Sequence, residues 1–204
     1  MQESEVIKIL RNDLFFDQIA LKKLRNFTNL LLSANQKYNF ISKSTENEIW
    51  HRHILDSAQL TKYIPKNTLN IADFGSGAGF PGIILSIYDT KNKFHVKLYE
   101  KSPVKRLFLK KICKELNLKA EIKSNVYDSP IKVDLIVVRA FKKLSEIIKI
   151  SRENCIDPHS LLILKGKKAK KEINEVSLGK KYSYKLLESI TSNDSKIIQI
   201  NAKK

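Results

Sequence analysis

The sequence predicts an α/β fold: a mostly parallel seven-stranded sheet with helices on both faces, preceded by an N-terminal helical extension. Three observations carry this. Apolar residues repeat every three or four positions up to about Ile64, then fall into short runs separated by helix-like segments from Leu69 onward. Alternation of the second kind over a domain's length implies parallel strands joined by right-handed crossovers. A glycine-rich stretch, Asp73-Phe74-Gly75-Ser76-Gly77-Ala78-Gly79-Phe80-Pro81-Gly82, directly follows the first strand and opens a helix. The chain divides accordingly into residues 1–64 and 65–204, packed as one unit.

In the extension, Phe16, Ile19, Ala20, Leu24, Phe27, Leu30 and Leu31 form the stripe of an amphipathic helix. A break follows at 35–44. Thr45 with Glu48 three residues later reads as a capping box, opening a second helix that carries Ile49, Trp50, His53, Ile54, Ser57 and Leu60 and ends before Pro65. Beyond it, strands are expected at 69–74, 94–99, 120–124, 133–138 and 161–165, with helices at 81–88, 102–118 and 142–154. Ser102 as cap and Pro103 at the first position start the middle helix. Segments 184–187 and 195–200, separated by Thr191-Ser192-Asn193-Asp194, read as a closing hairpin, and 165–171 as a basic loop. Five parallel strands plus a terminal hairpin is the class I methyltransferase layout.

Composition bounds the function. The 204 residues are 42% hydrophobic and 29% charged, which is globular rather than disordered. No apolar run approaches the ~18 to 20 residues that span a bilayer. The acidic start Met1-Gln2-Glu3-Ser4-Glu5 lacks a basic lead and an apolar signal core, so a cytoplasmic location is expected. Cys113 and Cys155 are not spaced as metal ligands and read as reduced core thiols; no metal site is expected. Net charge is +17, and residues 61–204 hold thirty basic groups against fourteen acidic ones. That excess favours a polyanionic partner through counterion release. Thirty-two Lys against six Arg is equally the residue usage of an AT-rich genome.

The glycine loop points to a cofactor in the crevice beyond the strand ends, although a tight structural turn is the alternative. A dinucleotide fingerprint would place a third glycine where Phe80 stands. Asp73-x-Gly75-x-Gly77-x-Gly79 suits S-adenosyl-L-methionine better, whose ammonium and sulfonium welcome a carboxylate. Glu100 ends the second strand, where it can accept both ribose hydroxyls of an adenosine or pair with Lys101 or Lys105. Arg139 follows the fourth strand, so its planar fork emerges at the ligand edge of the sheet to hold phosphate or a base edge, or to pair with Asp134 or Glu146. Lys165 ends the fifth strand on the same edge. His51, His95 and His159 are assigned no chemistry.

Gly75-Ser76-Gly77-Ala78-Gly79-Phe80-Pro81-Gly82, Arg52-His53-Ile54-Leu55-Asp56-Ser57, Arg139-Ala140-Phe141 and Leu164-Lys165-Gly166 stand together in order. In this combination the chain, from about Leu24 to Val176, resembles the ribosomal RNA small-subunit methyltransferase G family, also called glucose-inhibited division protein B. The resemblance implies a Rossmann-like, S-adenosyl-L-methionine-dependent class I fold. It implies methyl transfer to N7 of a guanosine in small-subunit (16S) ribosomal RNA; a monomer is expected, and free RNA, the 30S subunit and an assembly intermediate all stay open as the form of the substrate. Carried over by position, Gly75 and Phe80 line the donor beside Asp73, Gly77 and Gly79, and Val126 and Tyr127 flank its adenine. Arg139 sits at the cofactor and substrate end of the fourth strand, with His53 and Lys165 as further catalytic candidates. Tyr127 stands where the family has an acidic residue, which leaves Asp128 as an alternative; Ile84 replaces a proline. Competing readings are a small-molecule or protein methyltransferase and an RNA-binding assembly factor with a degenerate donor site.

Overall fold

The computed structural model describes residues 1–179 and 182–202. The extension begins with α1 (Glu3–Asn12) and α2 (Gln18–Tyr38). Asp17 caps α2 by accepting from the Ala20 amide, and Ala20, Leu21, Leu24, Phe27 and Leu31 are its buried stripe. Phe16 is buried but precedes the helix, and Ile19 is 60% exposed, so the apolar face is rotated relative to the expected one. The expected break at 35–44 also starts late. Asn35 turns its amide inward, donating to the Ile41 carbonyl and accepting from the Ile41 amide, which lets α2 run to Tyr38 before Asn39 turns left-handed.

No capping box forms at Thr45. That residue lies inside the four-residue α3 (Lys43–Glu46), which follows Ser42, and its hydroxyl meets His53 Nε2 instead of a helix amide. The second long helix is a composite: a π-helical turn Trp50–Leu55, α4 (Asp56–Ala58) and a 3₁₀ turn Gln59–Tyr63.

The sheet follows as β1 (Asn70–Phe74), β2 (His95–Tyr99), β3 (Ala120–Lys123), β4 (Leu135–Arg139), β5 (Ser160–Lys165), β6 (Tyr182–Glu188) and β7 (Lys196–Ala202), in the order β3-β2-β1-β4-β5-β7-β6. The first five are parallel, and β7 is antiparallel to both β5 and β6, as the hairpin requires. Residues two apart face the same side of the sheet. Ile71, Leu98, Leu135 and Val137 therefore join Leu24, Phe27 and Leu55 in one core, which also takes α5 (Gly82–Tyr88) and α6 (Pro103–Glu115). Ala72, Phe74, Ile136, Val138 and Ile163 build the other core against α7 (Leu144–Asn154) and α8 (Ala169–Asn174). Part of the expected basic loop is thus the start of α8, because Ala169 and Ile173 have a core to bury into.

No helix among the described residues is long and apolar enough to cross a membrane. Both cysteines are free thiols, and burial raises the Cys113 thiol to about 11. His159 is buried and bonded to Ser151.

Candidate active site

The carboxyl ends of β1, β2 and β4 open on a cavity of about 440 Å³, a volume suited to a small cofactor. Its walls come from the glycine loop, from Glu100 after β2, from Val126, from Arg139 at the end of β4 and from Phe141 beyond it. Phe40, Ile41 and Ser42 close it from the extension; no residue pattern in the sequence marked them as site residues.

Two glycines of the loop face this space differently. At Gly75 (φ +76°) a Cβ would lie 2.3 Å from Phe141 Cδ2, so the glycine makes room for protein. At Gly77 (φ +56°) the nearest atom to such a Cβ is the Gly75 carbonyl oxygen at 3.9 Å. There the missing side chain leaves room for a ligand. The Gly77 amide donates to Glu100 Oε2 at 2.9 Å, and Glu100 Oε1 accepts from Ser102 at 2.7 Å. Glu100 therefore braces the loop rather than pairing with Lys101 or Lys105, and each oxygen keeps a second lone pair for a ligand hydroxyl.

Three expected cofactor contacts lie off the cavity. Gly79 packs where a Cβ would meet Ile83 Cγ1 at 2.6 Å. Tyr127 is half exposed, with Lys101 Nζ 5.8 Å from its ring centroid; Asp128 is bonded to Ser124. Asp73 is wholly buried beneath the loop, where Oδ2 accepts from the Gly82 amide at 3.0 Å and Oδ1 finds no partner among the described residues. Burial raises its carboxyl to about 7 against the opposing pull of Ser76, Gly82 and Arg139. Asp73 shapes the β1–α5 turn below the site; it does not line it.

Arg139 is the joint of the site. Its side chain is 17% exposed, its guanidinium carbon lies 4.9 Å over the Phe80 ring, and its polar partners come from the composite helix. Nη1 donates to the Arg52 carbonyl at 3.1 Å and lies 3.6 Å from Asp56 Oδ2; Nη2 is 2.8 Å from His53 Nδ1. The wider π-helical turn brings these three groups to one guanidinium. Neither expected partner is used. Asp134 accepts from the Leu69 and Asn70 amides, and Glu146 pairs with Lys142.

The pairing also assigns the His53 tautomer. A guanidinium only donates, so Nδ1 must be the bare nitrogen and Nε2–H donates to Thr45 Oγ1 at 2.9 Å. Burial first, then the charges of Arg139 and Arg52, lower this imidazole to about 3. His53 is a neutral acceptor locked against Arg139, 5.1 Å from the Phe80 ring.

Arg139 and Phe141 also line an open cavity of about 540 Å³ on the other side, reaching Lys142, Lys143 and Lys165. Lys165 Nζ donates to the Lys142 carbonyl at 2.8 Å and to Glu172 at 2.9 Å. Its charge is partly spent on Glu172, which itself accepts from the Leu144 amide. Asp56, legible only as part of a motif, turns out to be central: Oδ1 accepts from Thr191 and Gln59 while Oδ2 faces Arg139.

This strand order, with a glycine loop after β1, an acidic residue after β2 and a cofactor-sized cavity above both, defines the chain as a class I methyltransferase. A family model for "GidB: rRNA small subunit methyltransferase G" matches residues 20–200. The ribosomal RNA small subunit methyltransferase G of Orientia tsutsugamushi (strain Ikeda) is 37% identical over 182 residues, covering 89% of this chain and 90% of that protein. The Pelagibacter ubique (strain HTCC1062) protein of the same name is 39% identical over 181 residues, covering 85% and 84%. The chain belongs to the ribosomal RNA small subunit methyltransferase G family. Its fold is also that of the O-methyltransferase from Bacillus cereus solved with SAH, at a TM-score of 0.61 and 12% identity over 87% of this chain and 91% of that one.

Proposed function

We propose that this chain transfers the methyl group of S-adenosyl-L-methionine to N7 of one guanosine in 16S ribosomal RNA, acting as a cytoplasmic monomer on the 30S subunit or an assembly intermediate. The observation that carries the reading is the position of Arg139, shared by the cofactor-sized cavity and the open, lysine-rimmed one. The cavity suits the donor: the space at Gly77 and the Glu100 carboxylate offer backbone room and negative charge to a cationic adenosine derivative. When bound, the donor supplies an electrophilic methyl group. Glu100 would accept from its ribose and Val126 would pack on its adenine, while Gly75, Gly77 and Phe80 would shape the space at its other end.

Guanine N7 is an exposed lone pair and needs no deprotonation. His53, neutral and with Nδ1 already engaged, is thus a positioning residue that holds Arg139, not a general base. Arg139 presents its remaining N–H groups to an acceptor on the base or its phosphate, and Lys165 extends the same wall. Alignment and exclusion of water supply the rate. Residues 1–64 complete the donor wall and share a core with the sheet, which supports treating them and 65–204 as one unit.

The test is mass spectrometry of 16S ribosomal RNA from cells with and without the gene, paired with transfer of labelled methyl by the purified protein. One 7-methylguanosine should disappear with the gene and return on adding the protein. RNA binding without donor turnover would mark an assembly factor and refute the proposal.

A further inference from the structure

Between the C-terminal half of α2 and the outer side of α6 lies another groove, of about 420 Å³, which the methyl-transfer site does not use. Its α6 wall is Val104 and Leu107, 44% and 67% exposed, and Tyr38 stands on the α2 side at 47%. Phe40 stacks on Tyr38, with ring centroids 5.4 Å apart and planes at 19°, and tilts against Phe108. It lines both this groove and the donor cavity, so the two spaces share a wall.

The charge around the groove is one-sided. Helices α2 and α6 together carry nine Lys or Arg and a single acidic residue, Glu115. Lys37 and Lys111 sit in the lining, which among the described residues contains no carboxylate, and Lys37 Nζ lies 5.2 Å from the Tyr38 ring centroid. A half-exposed aromatic flanked by cations is the combination that holds single-stranded nucleic acid: every base has a face to stack, and the lysines follow the phosphates. A lipid surface or an acidic peptide would use the charge but has no need of a slot walled by an aromatic ring that adjoins a methyl-donor cavity.

We infer that this groove binds an unpaired nucleotide of the substrate RNA flanking the one that enters the active site, its base against Tyr38 and Leu107 and its phosphates along Lys37 and Lys111. The inference rests on the RNA-methyltransferase reading and adds a subsite to it. Such a contact gives affinity and register without touching the reacting atoms.

The test uses the full chain with 30S subunits from cells lacking the gene, beside transcribed 16S ribosomal RNA, and three variants, Tyr38→Ala, Leu107→Ser and Lys37→Ala. Leu107→Ser alters a mostly exposed side chain, so it guards against misfolding that Tyr38→Ala could cause through Phe40. Tyr38→Ala and Leu107→Ser should each raise Kd and KM for RNA about tenfold, leaving kcat and donor affinity unchanged. They should not alter the slope of log affinity against log salt, whereas Lys37→Ala should reduce it by roughly 0.7, the loss of one single-strand phosphate contact. Unchanged RNA affinity in all three, with Arg139→Ala defective in the same assay, would overturn the groove and leave the proposed function standing. Absence of RNA binding and methyl transfer in the unsubstituted chain would overturn both. Self-association abolished by Leu107→Ser with RNA affinity intact would assign the groove to a second copy of the chain instead, and so overturn the inference.

Discussion

Two buried groups that bracket Arg139 titrate in opposite senses, and their effects should nearly cancel in the natural chain. His53 is held at about 3 when folded against 6.5 in the unfolded chain. Its lowered value makes it stabilising above pH 6.5, and that contribution is lost as pH falls toward 3, because only the unfolded chain takes up the proton. From pH 7 to pH 5 the loss is about 2 kcal/mol, at 1.36 kcal/mol per tenfold change in proton activity. Asp73 runs the other way. Raised from 3.8 to about 7, its stabilisation is complete below 3.8 and lost as pH rises through 7, so the same change in pH returns about 2 kcal/mol. The pair therefore contributes little net slope, and each must be read from its own variant. His53→Asn keeps an acceptor toward Arg139 and should close the stability gap to the natural chain by about 2 kcal/mol between pH 7 and pH 5. Asp73→Asn keeps the bond to the Gly82 amide and should move its own gap by a similar amount in the opposite direction. Urea unfolding at the two pH values measures both, and the lowered His159, unchanged in either variant, drops out of the differences. A His53→Asn gap that stays constant to within about 0.5 kcal/mol would mean that the ring titrates alike in folded and unfolded chains. The neutral-acceptor assignment would then fail.

Three further outcomes are expected. Gly77→Ala should lose donor affinity by calorimetry while melting only about 2 to 8 °C lower, since its Cβ meets open space and costs only the ~1–2 kcal/mol of a left-handed residue. Gly82→Ala, whose Cβ would fall 2.3 Å from Leu98 Cδ2 and 2.6 Å from Asp73 Oδ2, should destabilise the fold by overpacking, by roughly 1–3 kcal/mol, a loss visible in urea unfolding without donor. Arg139→Lys keeps the charge beside Asp56 but cannot bond both Arg52 and His53, so methyl transfer to RNA should fall at least about tenfold with donor affinity nearly kept; full activity would remove Arg139 from substrate handling.

The sheet was legible in the sequence because strands buried on both faces leave continuous apolar runs such as Leu135–Val138, and a parallel crossover demands the helix between them. The glycine loop and Glu100 were legible too, since a close backbone approach and a strand-end carboxylate each need particular residue types at short range. Long-range pairing left no such trace. Asn35 closes its own loop back onto Ile41, and that inward turn, together with the left-handed Asn39, sets where α2 ends. Gly77 and Gly79 look alike in the sequence, yet one borders open space and the other Ile83, a difference set by what packs against the loop. Asp73 carries the charge expected of a cofactor contact, but the register of β1 against β2 and β4 puts it below the cavity floor. The partners of Arg139 come from residues 83 to 87 positions earlier, and only the packing of the extension on the sheet edge brings them together. Local chemistry is written in local sequence; a guanidinium's choice between Asp56 and Glu146 depends on which elements fold against its strand.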